Sequence, residues 1–241
     1  MVPRRTQLGR LTEQPFAHRG LHGEGRIENS RAAFAAAIAL GHGIELDVQA
    51  SRDGHAIVIH DEDLDRLTEG QGPVAGRSLA ELQAIRLRGG EETVPPLSEI
   101  LRLIDGRSPL LIELKAPDRA VARLCLSVFH CLEAYRGPVA IMSFNPEVGR
   151  WFSRHAPRTL RGLVVTESGK PGLRGHIERH FALWRARPDF LAYDIRDLPS
   201  RFAATQRGRG LPITTWTVRS DADRERAAAN ADQIIYELPS G

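Results

Sequence analysis

Short β-branched or apolar runs alternate with helix-period segments along the whole chain. Strands are predicted at Phe16–His18, Ile44–Val48, Ala56–His60, Leu110–Leu114, Val139–Ser143, Gly162–Thr166, Phe190–Asp194, Ile213–Val218 and Ile234–Tyr236. Helical periodicity lies between most of them, at Ser30–Leu40, Leu79–Ile85, Leu97–Ile104, Asp118–Ala134, Pro146–His155, Gly175–Ala186, Pro199–Arg207 and Asp221–Asn230. Alternating strands and helices imply a parallel sheet. Several strands are nearly continuous apolar runs (LLIEL, GLVV, QIIY), as burial of both faces requires. About eight such units in 241 residues predict an α/β fold of the (β/α)8 TIM-barrel type. A doubly wound open sheet is the alternative, but it usually has roughly five or six strands.

Two stretches break the repeat. Residues 52–76 hold an extra strand-like run and the Gly-rich segment DRLTEGQGPVAGRS where a helix is expected, which reads as a small insertion over one mouth of the barrel. No helical pattern follows Leu238, so the last helix is missing or shortened. Either residues 1–14 or a second copy of the chain, in a homodimer, would then cover that flank. With no repeat, linker or low-complexity tract, residues 1–241 read as one domain.

Composition narrows the class. Apolar content of 41%, charged content of 26% and a net charge of +3 exclude overall disorder. The longest uncharged apolar run, Phe34 to Leu40, falls far short of the ~18–20 residues of a membrane span, so no stable membrane insertion is expected. MVPRRTQLGR has arginines with no apolar segment behind them, unlike a secretory signal. Cys125 and Cys131, six apart in a helical pattern, face different ways and should not pair, which fits a reduced cytoplasmic protein. Lysine occurs only at 115 and 170, the remaining basic residues being arginine. Genome composition explains most such biases, yet it singles out Lys115. The arginines are scattered and aromatics make up only 6%, so no nucleic-acid partner is expected. A modest positive balance suits a small anionic substrate.

The polar residues that could carry chemistry gather at the C-terminal ends of strands, where barrel enzymes keep their active sites. Glu45 and Asp47 in IELDV are two apart and share a face. Inside a barrel two like charges repel, and a divalent cation would relieve the cost; a salt-bridged pair is the plain alternative. Glu113 and Lys115 in LLIELK repeat the spacing. Glu113 could supply a third carboxylate and Lys115 could hold an anionic oxygen; a strand-end ion pair is the simpler alternative. Three carboxylates form a hard oxygen set, which favours Mg²⁺ or Ca²⁺ over Zn²⁺. His18 in FAHRG and His60 in AIVIHD end separate strands and could act as paired general acid and base, although a lone histidine there is more often structural. Arg19 offers a bidentate fork suited to phosphate, and Gly20 lets the backbone turn beside it. His176 and His180, four apart, lack a third ligand and read as a surface pair, while Asn29 and Ser30 read as helix-start chemistry. Trp216 is either core or a pocket wall.

The ordered set AHRG (17–20), ENS (28–30), IELDV (44–48), DG (53–54), HD (60–61), R-x-T-x-G (66–70), P-x-L-x-E (95–99), IELK (112–115), SF (143–144) and WTV (216–218) resembles the glycerophosphodiester phosphodiesterases, relatives of the phosphatidylinositol-phospholipase-C-like barrels. The resemblance spans residues 16–239. It implies a barrel enzyme that cleaves small phosphodiesters to glycerol 3-phosphate and an alcohol with one divalent cation. It further implies acid–base roles for His18 and His60, cation ligands in Glu45, Asp47 and Glu113, phosphate contacts from Arg19 and Lys115, and a pocket wall in Trp216. The same residues are compatible with lysophospholipase D-type cleavage or with a silent phospho-ligand-binding barrel. One departure stands out: QIIYELP carries Tyr236 and Glu237 where the family has Thr and Asp or Asn, and bulkier groups there could narrow the pocket or alter which alcohol is accepted.

Overall fold

The computed structural model describes residues 8–9, 12–23, 25–170 and 172–238. Nine strands follow in chain order: β1 (Phe16–Ala17), β2 (Gly43–Ala50), β3 (Ala56–Val58), β4 (Leu110–Leu114), β5 (Val139–Ser143), β6 (Leu160–Val165), β7 (Phe190–Asp194), β8 (Ile213–Val218) and β9 (Gln233–Tyr236). All except β3 pair in parallel, and the ring closes because β1 pairs with both β2 and β9. The expected eight-stranded barrel is therefore the fold. The helices between ring strands are α1 (Arg31–Ala39), α2 (Leu79–Gln83) and α3 (Leu97–Ile104) before β4, then α4 (Ala122–Glu133), α5 (Pro146–His155), α6 (Gly172–Ala186), α7 (Arg201–Gly208) and α8 (Asp221–Asn230).

Local chemistry starts the helices where they start. Ser30, Ser78, Asn145, Ser200 and Ser220 each cap a helix by accepting a backbone N–H of the first turn. Leu97, Ile100, Leu101 and Ile104 give α3 a buried stripe, and Asp105 ends it in the left-handed conformation at φ 46°. Helix α4 starts at Ala122 rather than Asp118, because Asp118 spends its carboxylate on the Ala120 N–H in a turn.

Period-two alternation sorts each strand into an outward residue under the helices and an inward one. The inward floor is apolar: Phe16, Leu111, Ala140, Met142, Leu160, Val164, Phe190, Ala192 and Ile235 pack together, with Leu8 against them. Gly43 makes room for the Phe16 ring, which would lie 2.6 Å from a Cβ at that position. Two residues further up the same inward faces stand His18 over Phe16, Glu45 over Gly43 and Glu113 over Leu111. The strand register thus lifts the polar set to the C-terminal mouth.

The insertion is larger than its Gly-rich part. Strand β3 folds back on β2 with Val48 opposite Val58, and the segment up to α3 builds its own small core from Ile57, Ile59, Leu64, Val74, Leu82, Leu87 and Val94. Strand pairing stops at Val58, before the expected end at His60, because the Gln49 amide takes the carbonyls of Ile59, His60 and Asp61. No helix follows β9 among the described residues; Gln233 Nε2 donates to the Thr12 carbonyl at 2.7 Å, tying the N-terminal segment to β9. Of the segment expected to cover this flank, residues 1–7, 10 and 11 lie outside the described residues. No described helix is long and apolar enough to cross a membrane. Cys125 and Cys131 are both free thiols, as their spacing predicts.

Candidate active site

Adjacent strands hold the acidic cluster. Asp47 on β2 is the register partner of Glu113 on β4, and Glu45 lies one pleat below on the same face. Oxygens of Glu45, Asp47 and Glu113 come within 4.8 Å of one another, and all three residues are buried. Burial pushes the Glu45 carboxyl well up, and the neighbouring charges of Asp47 and Glu113 push it further. Burial raises Glu113 as well, with Lys115 only partly offsetting it. Burial alone would raise Asp47 too, but Lys115 and Arg19 overcome it and hold that carboxyl down. Glu45 Oε1 has no hydrogen-bond partner among the described residues. A buried oxygen left unpaired among three carboxylates leaves a place that a divalent cation could satisfy, and the hard oxygen donors fit one.

Two cations of the chain flank this cluster. Lys115 Nζ lies 3.0 Å from Asp47 Oδ1 and 2.6 Å from Glu113 Oε1. Arg19 reaches Asp47 through Nε at 3.2 Å and Glu28 through Nη1 at 2.7 Å, while its backbone N–H donates to Glu45 Oε2 at 3.0 Å. The turn that allows this is left-handed at both Arg19 and Gly20, with φ 55° and 78°. A Cβ at residue 20 would also sit 2.9 Å from Ala33 and Phe34 atoms, so only glycine fits.

Each of the two histidines is held by a neighbouring carboxylate through Nδ1. His18 donates Nδ1–H to Glu237 Oε1 at 2.6 Å, leaving Nε2 facing the cluster, 3.9 Å from Glu45 Oε2. Burial pulls the His18 imidazole below its ordinary value, and the Glu237 hydrogen bond recovers part of that. His60 Nδ1 pairs with Asp61 Oδ1 at 2.8 Å. Arg66 clamps Asp61 through Nε at 2.5 Å and Nη2 at 2.9 Å, and also bonds Glu28 at 2.8 and 3.1 Å. A chain of ion pairs therefore runs from Arg19 through Glu28 and Arg66 to Asp61, which in turn hydrogen-bonds His60.

These groups open onto a cavity of about 570 Å³ at the barrel mouth. His18, Arg19, Glu45, His60, Glu113 and Lys115 line it; Asp47, in contact with Lys115 and Arg19, is not in the lining. Trp216, open to two readings from the residues alone, is on the cavity wall. Its Nε1 donates to the Ala192 carbonyl at 2.9 Å, and its ring meets Phe144 edge-on at 5.6 Å. Arg196 and Arg219 also line the cavity.

Several residues that build the site were not singled out for it by their sequence positions. Ser30 caps α1 as expected, but Asn29, at φ 58°, turns back to hold Asp47, donating Nδ2–H to Oδ2 at 3.0 Å. Glu28, Asn29 and Arg66 lie in the ENS and R-x-T-x-G segments, which was the available signal. The expectation for QIIYELP needs correcting. Tyr236 points outward, bonding His42 Nδ1 at 2.7 Å under the Arg224 guanidinium, and so does not narrow the pocket. Strand alternation required this once Ile235 faced inward. Glu237 instead serves His18 and Arg219. His176 and His180 are exposed, with rings 4.2 Å apart, and belong to no larger group of ligand side chains among the described residues.

Comparison with known proteins gives this geometry its family. The sequence pattern of the glycerophosphoryl diester phosphodiesterase family matches residues 18–239. This chain belongs to that family. It is similar to a glycerophosphodiester phosphodiesterase of Caldanaerobacter subterraneus subsp. tengcongensis, 32% identical over 236 residues and covering 93% of both chains. Among solved structures it resembles an Oleispira antarctica phosphodiesterase in complex with the product sn-glycerol-3-phosphate, at TM-score 0.81 and 23% identity over 93% of this chain and 92% of that one. A glycerophosphodiester phosphodiesterase of Agrobacterium tumefaciens matches at TM-score 0.68 and 28% identity, covering 92% and 94% of the two chains. Like its family, the chain is a hydrolase of phosphoric diesters, built on a barrel whose acidic cluster fits the divalent cation such enzymes need.

Proposed function

We propose that this enzyme hydrolyses glycerophosphodiesters to glycerol 3-phosphate and an alcohol, using His18 and His60 for proton transfer and Glu45, Asp47 and Glu113 to hold one Mg²⁺ or Ca²⁺. The observation that carries the proposal is the buried three-carboxylate cluster, with its unpartnered Glu45 oxygen, opening through Glu45 and Glu113 onto the cavity that His18 and His60 also line. A bound divalent cation would neutralise the carboxylates and withdraw charge from the phosphate oxygens.

The chain's own groups account for the rest. Lys115 and Arg19 lie where they can trade a carboxylate contact for a phosphate oxygen and stabilise the added charge of a five-coordinate phosphorus. One imidazole accepts the proton of the attacking hydroxyl as its oxygen bonds to phosphorus. The other gives a proton to the departing alkoxide as the old P–O bond breaks. Glu237 and Asp61 each fix one ring through Nδ1, so Nε2 is the working nitrogen in both.

The test is to strip the purified protein with EDTA, offer glycerophosphocholine, and add Mg²⁺, Ca²⁺ or nothing. Glycerol 3-phosphate released only with metal supports the proposal; silence with every metal refutes it. The apolar ledge of Phe144 and Trp216 favours a second substrate class, lysophospholipids, and lysophosphatidylcholine in the same assay decides it. The two free thiols support a cytoplasmic home.

A further inference from the structure

Helix α6 carries its bulk on the outside. Its inward face carries one large apolar side chain, Leu183, which packs on the core with Ala182; Gly175 and Ala186 are buried, and Arg179 reaches Glu167 at 3.2 Å. Its outward positions are Leu173, Ile177, Phe181 and Trp184, which are 74%, 57%, 56% and 63% exposed. Spacings of four, four and three place them in one stripe, and Phe181 and Trp184 touch with rings 5.7 Å apart. The other large exposed apolar side chains described, Leu40, Leu126 and Phe144, stand on separate elements. At ~150–250 Å² per large side chain, the stripe leaves roughly 400–600 Å² of apolar surface open, at the upper end of what a monomer exposes.

Its borders are basic. Residues 170–187 hold Lys170, Arg174, Arg179, Arg185 and Arg187 against a single carboxylate, Glu178. Arg179 and Arg185 are paired with Glu167 and Glu147, whereas Lys170 and Arg174, 55% and 92% exposed, share Glu178.

We propose that the outer face of α6 seats the enzyme on an anionic lipid surface, with the Leu173–Ile177–Phe181–Trp184 stripe in the headgroup layer and Lys170 and Arg174 against lipid phosphates. A helix of fifteen residues lies in that plane rather than across it. Area and charge both select lipid over a second copy. The stripe falls short of the ~800 Å² per partner of a standard interface. A twofold contact would also bring the basic border against itself, whereas an anionic bilayer complements it. Binding is read without any substrate, so the proposal stands apart from the hydrolytic reading.

The test is co-sedimentation of the full chain with sucrose-loaded vesicles of phosphatidylcholine, with and without phosphatidylglycerol. The expected result is binding to the anionic vesicles, at least ~10-fold weaker without phosphatidylglycerol and similarly weaker at ~1 M salt. The double variant Phe181→Ser/Trp184→Ser should lose at least ~10-fold in partitioning with an unchanged thermal midpoint. The blue shift of tryptophan emission on binding should vanish in Trp184→Ser alone. Failure of the parent to bind anionic vesicles, or equal binding by the double variant, overturns the proposal. So does a dimer in sedimentation velocity that the double variant dissolves while the parent ignores vesicles, because a second copy would then own the stripe.

Discussion

Replacing Glu237 with glutamine tests the tuning of His18 with almost no change of shape. Burial alone would raise the Glu237 carboxyl, yet hydrogen bonds from His18 and Arg219 hold it at about 2, below its ordinary 4.5. It is therefore an anion throughout the working range, and its contact to His18 Nδ1 is charge-assisted at 2.6 Å. A hydrogen bond to a charged group is worth about 1.5–3 kcal/mol, a neutral one about 0.5–1.5. Glutamine keeps an acceptor for Nδ1–H, so only the difference of roughly 1–1.5 kcal/mol is lost, or about 5–15-fold in rate if that interaction is made in the transition state. The sign in pH follows from the same contact. Glu237 raises the His18 pKa against the depression caused by burial, so removing the charge lowers it further. The limb of the kcat/KM profile that His18 governs, acidic if it is the base and basic if it is the acid, should move to lower pH while the plateau falls. The assay is metal-saturated turnover of glycerophosphocholine across pH 5 to 9, an ordinary window for imidazole titration. A profile that overlays the parent in both limb and plateau would show that Glu237 does not tune the imidazole.

Three further outcomes are expected. His18→Ala and His60→Ala should each lower turnover at least ~10²-fold, and near-normal turnover removes that residue from the mechanism. Glu45→Gln should raise the metal concentration needed for half-maximal activity, and coincident titration curves exclude it as a ligand. Gly20→Ala should cost more than about 1 kcal/mol and lower the thermal midpoint, since it combines a φ of 78° with 2.9 Å contacts to Ala33 and Phe34; an unchanged midpoint would mean the turn can relax.

How much of this could be read along the chain depended on how far each signal reached. The strands were legible because burial on both faces leaves uninterrupted apolar runs, and Glu45 and Asp47 stood out as charges inside one. Cap chemistry was legible too, since Ser30 accepts from Ala33 only three residues on. What stayed hidden were partnerships that only closure of the barrel creates. Arg66 meets Glu28 across 38 positions and Glu237 meets His18 across 219, distances over which no periodicity carries information. Asn29 was misread for the opposite reason: its neighbour Ser30 is the cap, and a polar residue beside a cap looks like part of it. Tyr236 could have been oriented correctly by counting inward and outward positions along β9. The short α2 was overextended because the insertion's core ends it at Gln83.

The junction between β1 and β9 has a consequence for when activity can arise. Translation releases His18, the acidic residues and Lys115 well before Glu237. A nascent barrel lacking β9 would hold the carboxylate cluster and both imidazoles, but β1 would have an open edge and His18 Nδ1 would lack its Glu237 partner. Full competence would then emerge only when the ring shuts. Catalytic rate during refolding should accordingly follow circularisation of the sheet, lagging behind the appearance of helical signal.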